Sequence, residues 1–176
     1  MLRTDDLFSL DKSLAGENLS QFNFPWFVLE GITGIILKIG RRLPEEEYDE
    51  IKPSVWVHKK AVVSPGASVN GPAIIGEGTE IRQGAFIRGS ALIGKNCVVG
   101  NSTEVKNAIL FDSVQVPHYN YVGDSILGYK AHLGAGAVTS NVKSDRSYVQ
   151  VRCEGEKIET GLRKFGAMIG DGAEIG

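Results

Sequence analysis

"IGEGTEIRQGAFIRGSALIGKNCVVGNSTEV", residues 75–105, keeps a strict beat of six. Aliphatic side chains stand at Ile75, Ile81, Ile87, Ile93, Val99 and Val105, and the series extends back through Val69 and Val63 to Val57. Four residues after each comes a second series: Ala61, Ala67, Ala73, Thr79, Ala85, Ala91, Cys97, Thr103 and Ile109. It is small at eight of its nine positions. The residues between are mostly Gly, Pro, Asn, Ser and charged, which favour turns and solvent. A period of six fits neither a helix at 3.6 nor a simple alternating strand. It fits a short strand followed by a turn, with the aliphatic residue inward and the small one at the bend. Three such units close a triangle, so one coil takes eighteen residues, and stacked coils pair at about 4.8 Å. The expected fold is all-β, a parallel β-helix with a prism-shaped core. The spacing does not set its hand, and the usual rule for parallel crossovers would be right-handed.

Beyond Val105 the beat slips. The inward positions read Leu110, Val116, Val122, Leu127, Leu133 and Val138, so the units starting at 105, 122 and 133 are one residue short. Counting faces from Val57, the second face has Ile81, Val99, Val116 and Leu133 inward. The turn leaving it carries Gln83, Asn101, His118 and Ala135, which directs His118 from a corner into solvent. The third face has Ile87, Val105, Val122 and Val138 inward. Arg88, Lys106 and Gly123 follow them on the outside, and Phe86, Glu104 and Tyr121 precede them there. Arg88 and Lys106, eighteen residues apart, become vertical neighbours, and like charges so placed repel unless something negative lies between. Glu104 is diagonal to both and partly neutralises them. Gly123 is expected to leave room above the cations for a ligand.

His118, Tyr121, Arg88 and Lys106 thus fall on one corner of one surface. A base that titrates near neutral pH, two cations and a phenol suit an anionic substrate. The bland reading is solvated charge, with the tyrosines packed in a subunit contact. His58 has no polar cluster around it and reads as structural. His132 lies outward, one coil above Gln115. Three histidines at spacings of 60 and 14 make no zinc pattern, so no metal is expected.

The flanks read differently. Residues 1–54 form an N-terminal helical cap, in which Ile32, Ile35, Ile36 and Ile39 share a helical face between Pro25 and Pro44. The helix is expected to cover the open bottom of the prism, where unpaired strand edges would invite aggregation. The β-helix occupies 55–143. In 144–164, the alternation of Val149, Val151 and Cys153 before the Gly-centred "EGEK" predicts a hairpin excursion. Residues 165–176 resume the coil at "IGDGAE" and stop part-way through a unit. That apolar top is expected either to continue in a longer chain or to be covered by another.

Composition narrows the classes. Of 176 residues, 42% are hydrophobic and 23% charged, a globular balance. The net charge of -2 gives no basic footprint for nucleic acid. Cys97 and Cys153 make neither a disulfide framework nor a metal spacing and read as inert thiols in a reducing cytoplasm. The opening "MLRTDDLFSL" is charged where a signal peptide would be apolar. The most apolar stretch, residues 25–40, contains Glu30 and Lys38, too short and too charged for a membrane span.

The hexads "IGEGTE", "IGKNCV", "VGNSTE" and "LGAGAV" resemble the hexapeptide-repeat family, whose members form left-handed β-helices and mostly act as acyltransferases. Over residues 84–142, "GNSTEVKN", "HYNYVGDS" and "HLGAGAVTSN" are similar to the acetyltransferase half of the bifunctional UDP-N-acetylglucosamine pyrophosphorylase/glucosamine-1-phosphate acetyltransferase family. The resemblance implies a left-handed helix, a homotrimer, and transfer of an acetyl group from acetyl-CoA to an amino sugar phosphate in sugar-nucleotide or cell-envelope precursor metabolism. It implies His118 as the catalytic base, in a His-x-x-Tyr-x-Gly-Asp pattern, and Arg88 and Lys106 as sugar-phosphate ligands. It implies Tyr121 and Asn141 as substrate contacts, and Ala135 beside the acetyl group of the cofactor.

Some features depart from that family. His132 stands where the family has asparagine. "NVKS" replaces the family's Asn-Tyr-Asp-Gly, and with it go a tyrosine and a following basic contact. The coils that hold coenzyme A in the family lie past residue 176. The roughly fifty residues before the repeat hold no Gly-rich nucleotide loop and are too few for the pyrophosphorylase domain. A non-catalytic sugar-phosphate-binding or trimerisation module therefore stands as the alternative to an acyl-CoA-dependent sugar acetyltransferase.

Overall fold

The computed structural model describes residues 2–176. Short parallel strands stack into the three walls of a β-helix. The second wall runs upward through Val62–Val63, Glu80–Ile81, Val98–Asn101, Gln115–His118, His132–Leu133 and Glu174–Ile175. The third and first walls share two long strands, Glu104–Leu110 and Tyr121–Leu127, which bend round the corner between them and pair on both sides of it. Ile81 lies opposite Val99, Val99 opposite Val116, Ile87 opposite Val105, and Val105 opposite Val122. All are fully buried. The beat of six is therefore the inward column of a three-sided core.

Two of the three expected short units are present. Ala108 pairs with Ala91 and Leu110 with Ile93, so the unit from Val105 has lost one residue, and Leu127 above Leu110 repeats the loss. This shift explains the one large residue in the small series. Ala108 takes the bend, and Ile109 moves to the outside of the wall. The unit from Leu133 is not short. Tyr121 bridges Val138, which is 60% exposed, and the next residue, Thr139, is buried over the core in its place.

The corners turn through left-handed residues. One column holds Gly78, Asn96, Ser113 and Lys130, another Gly84, Ser102, Tyr119 and Gly136, a third Ser90, Asn107 and Asp124, all at positive φ. Gly, Asn and Asp enter that region at the least steric cost, which is why they punctuate the repeat.

The helical segment lies elsewhere than expected. A 3-10 turn, Pro25–Gly31, leads into the α-helix Ile32–Gly40, with Ile32 and Ile36 fully buried. This segment runs down the outer side of the first wall. Gly40 meets the Trp56 ring near the bottom, and Trp26 stacks on Phe24 and meets Phe165 near the top. The cause is a second apolar column: Trp56, Ile74, Leu92, Ile109 and Ile126 pair one above another with their side chains outward. The last four are fully buried. An exposed apolar stripe of that size needs a cover, and the helix supplies it. At the bottom edge of that wall it is the antiparallel strand Tyr48–Lys52, paired with Val55–His58, that takes up the free backbone groups. His58 is buried there, edge-on to Tyr48, and accepts the Lys60 amide on Nδ1.

The excursion is a two-stranded hairpin, Gln150–Cys153 with Glu156–Glu159. It closes on Glu154 and Gly155, both at positive φ, as a tight two-residue turn requires. Among the described residues no helix is long and apolar enough to cross a membrane.

Candidate functional site

The third wall carries the residues that the sequence singled out. Glu104 lies between Phe86 below and Tyr121 above, and Lys106 lies opposite Gly123. The Arg88 amide bonds to the Val105 carbonyl directly beneath Lys106, at 2.8 Å, so the two cations share one wall on successive coils. His118 pairs with Asn101 at the corner entering this wall and is exposed. The Gly136 amide bonds to the His118 carbonyl at 3.2 Å, which stacks the exposed Ala135 over His118. The residues are spread along the wall rather than gathered at one corner. His118 stands at the entering edge and the cations lean toward the leaving edge. The strand residues 121–123 lie between, roughly 10 Å of backbone at about 3.3 Å per residue.

Each cation has its own carboxylate. Arg88 Nη1 lies 2.5 Å from Glu104, with both side chains partly exposed. Lys106 Nζ lies 3.4 Å from Asp124, whose side chain is only 5% exposed. Glu104 therefore does not bridge the pair. A second anion takes half of the task, and the repulsion between neighbouring coils is relieved locally.

Asp124 is the centre of this arrangement. Its left-handed corner places the carboxylate directly above Asn107, whose amide donates to it at 2.8 Å and also donates to the Leu29 carbonyl at 3.2 Å. The Asn141 amide donates to the same carboxylate and to the Tyr121 hydroxyl at 3.2 Å. Lys106, Asn107, Asp124, Asn141 and Tyr121 thus form one continuous polar network. The helical layer braces this corner from the side through Leu29 and through Thr33, whose hydroxyl meets that of Ser90 at 2.7 Å.

Gly123 does not leave empty room. A Cβ there would lie 2.5 Å from the Tyr121 hydroxyl and 2.7 Å from its ring, so the phenol folds back over the glycine. The opening lies beside it, at the corner. A cleft of about 370 Å³ is lined by Gly71, Gly89, Ser90, Arg88, Lys106 and Lys164, with Asn107 and Asp124 at its floor. Sequence reading missed Asp124, Asn107 and Lys164. The first two could have been found by counting seventeen across the shortened coils; Lys164 follows no repeat and had no such signal.

A three-sided parallel β-helix with a cationic cleft on its outer wall defines the class: a hexapeptide-repeat protein of the kind read from "IGEGTE" and its copies. The family of the GMPPB C-terminal domain matches residues 69–175, and the chain belongs to it. The bifunctional protein GlmU of Methanococcus maripaludis is 35% identical over 156 residues, which cover 86% of this chain and 37% of that protein. The bifunctional sugar-1-phosphate nucleotidylyltransferase/acetyltransferase of Sulfurisphaera tokodaii is 37% identical over 78 residues, 44% of this chain and 20% of that one. The chain therefore spans well under half the length of these relatives. Among solved structures, the acetyltransferase domain of PglB from Neisseria gonorrhoeae FA1090 covers 48% of this chain and 42% of its own, with 16% identity and a TM-score of 0.46.

Proposed function

We propose that this chain is an acetyltransferase that moves an acetyl group from acetyl-CoA to the amine of a sugar phosphate. The observation that carries the reading is the shared third wall: two cations on successive coils, with a solvent-facing imidazole at the edge of the same wall. A relative named as a bifunctional sugar-1-phosphate nucleotidylyltransferase/acetyltransferase supports it.

In this reading Arg88 and Lys106 hold the phosphate, and their long side chains reach back across Tyr121 toward His118. The network through Asp124 fixes Lys106 and Asn141, so the sugar meets donors already in place and less orientation is lost on binding. Tyr121 and Asn141 contact the sugar. The amine nitrogen forms a bond to the thioester carbonyl carbon while His118 takes the amine proton. The carbon–sulfur bond then breaks, and the proton passes to the departing thiolate. General-base help of this kind contributes about 10²–10⁴-fold. Ala135, above His118 with only a methyl group, leaves room for the acetyl end of acetyl-CoA. The enzyme works in the cytoplasm as a homotrimer, in which Tyr119 and Val138, 64% and 60% exposed beside His118 and Ala135, become covered.

The test is release of free coenzyme A thiol from acetyl-CoA on addition of glucosamine 1-phosphate. Turnover by the native chain and its loss in His118→Ala, with the melting curve unchanged, is the expected result. No thioester consumption with any amino sugar phosphate would favour the non-catalytic module instead.

A further inference from the structure

We infer that the corner cleft opens into a second compartment, and that the acceptor sugar carries a nucleoside diphosphate whose nucleoside lies there, against Tyr148 and Glu30. The inference rests on the reading of the third wall as a sugar-phosphate site and names what is attached to the far side of that phosphate.

The corner cleft does not end at its floor. Asn107 and Asp124, which form that floor, also line a second cleft of about 470 Å³, so the two are continuous. The helical layer contributes Leu29 and Glu30 to it, the segment leaving the hairpin contributes Arg163, and the loop before the hairpin contributes Tyr148. A sugar monophosphate, held over Tyr121 with its phosphate against Arg88 and Lys106, would occupy the first compartment and leave the second empty.

The second compartment has the chemistry of a nucleoside site. Tyr148 is 52% exposed and offers a ring on which any base can stack. The Arg163 guanidinium lies 4.9 Å from the centre of that ring, and the ring is its only partner among the described residues. An unpaired guanidinium in the compartment next to the first phosphate suits a second one. Glu30 is exposed and makes no ion pair or hydrogen bond among the described residues. A carboxylate repels phosphate but accepts the hydroxyls of a ribose. A lipid carried on the diphosphate would instead set hydrocarbon against the unpaired charges of Glu30 and Arg163, which costs free energy.

The backbone holds these groups together. The Val149 amide, next to Tyr148, bonds to the Leu162 carbonyl, next to Arg163, at 2.8 Å. The return strand is then fixed to the third wall. Lys164 bridges Val142 in antiparallel fashion, the Phe165 amide bonds to the Asn141 carbonyl at 3.0 Å, and the Gly166 amide bonds to the Asp124 carbonyl at 2.8 Å. A Cβ at Gly166 would collide with the Gly123 carbonyl oxygen, so only glycine lets the return strand lie this close. The excursion thus forms one side of the second compartment.

Calorimetric titration of the intact chain with glucosamine 1-phosphate and with uridine diphosphate glucosamine tests this. The native chain should bind the nucleotide sugar about tenfold or more tighter, the worth of one stacked base. Tyr148→Ala should erase that margin and leave the affinity for glucosamine 1-phosphate and the melting curve unchanged, while Tyr148→Phe keeps it. Arg163→Ala should narrow it. If the native chain binds glucosamine 1-phosphate as tightly as the nucleotide sugar, or if Tyr148→Ala or Arg163→Ala keeps the full margin, the second compartment is not the nucleoside site described, though the wall remains a phosphate site. If the native chain binds neither ester, the reading of the wall falls and this inference with it.

Discussion

Asp124 shows how one residue can organise a site without touching a substrate. Its corner conformation is one that aspartate tolerates better than most side chains. From it the carboxylate reaches Lys106, Asn107 and Asn141 together. Asp124→Ala strands a half-buried ammonium and two amides, and should cost about 2–3 kcal/mol. A thermal melt would read this as a clear drop in Tm, and an unchanged Tm would remove Asp124 from the centre of the network. His118 behaves in the opposite way. Its imidazole is exposed and no hydrogen bond among the described residues depends on it, so His118→Ala should lose about 10²–10⁴-fold in turnover and almost nothing in stability. His118 was legible in the sequence because exposure follows from position in the coil. Asp124 was not, because its role runs through side-chain hydrogen bonds at a corner one residue shorter than the repeat. Nor was the fold of Tyr121 over Gly123, which depends on a side-chain rotamer.

Among the elements, the helix along the first wall depends on the outward column of Trp56, Ile74, Leu92, Ile109 and Ile126. An outward residue of a β-helix is ordinarily cheap to truncate. Here Leu92→Ala empties a fully buried site beneath the helix and should cost about 2–5 kcal/mol, read by denaturant titration. A loss near zero would mean that the helix does not seal the wall. This column was visible as an apolar residue just before the inward one once in every coil. Read beside the six-beat, it would have placed the helix on a side and not at the bottom. The hairpin was legible from its alternation and its turn. Its return was not, since an antiparallel bridge from Lys164 to Val142 follows no period. Gly166→Ala should push that return strand off Asp124 and lower stability, read as a drop in the melting temperature.

For the whole molecule, the spacing of six was enough to establish a three-walled prism, because a backbone that turns every six residues has few other ways to bury one aliphatic column. The same spacing assigned too little to Leu133, where Thr139 takes the core position that Val138 was expected to hold. A polar hydroxyl there bonds to the Tyr121 and Gly123 backbone and so escapes a reading based on hydrophobicity. The packed prism also sets thiol chemistry. Burial pushes the Cys97 thiol up to about 12, with its Sγ held on the Phe111 carbonyl, while Cys153 is half-buried on the hairpin. A disulfide-exchange reagent should therefore label one thiol per native chain and two after unfolding. Rapid labelling of both in the native chain would contradict so closed a core.

The most direct test of the site is a crystal structure of the chain soaked with glucosamine 1-phosphate. It should show the phosphate in the corner cleft against Arg88 and Lys106, the sugar over Tyr121, and the amine turned toward the imidazole of His118. Density for the sugar phosphate on another wall, or the imidazole packed into the core, would contradict it.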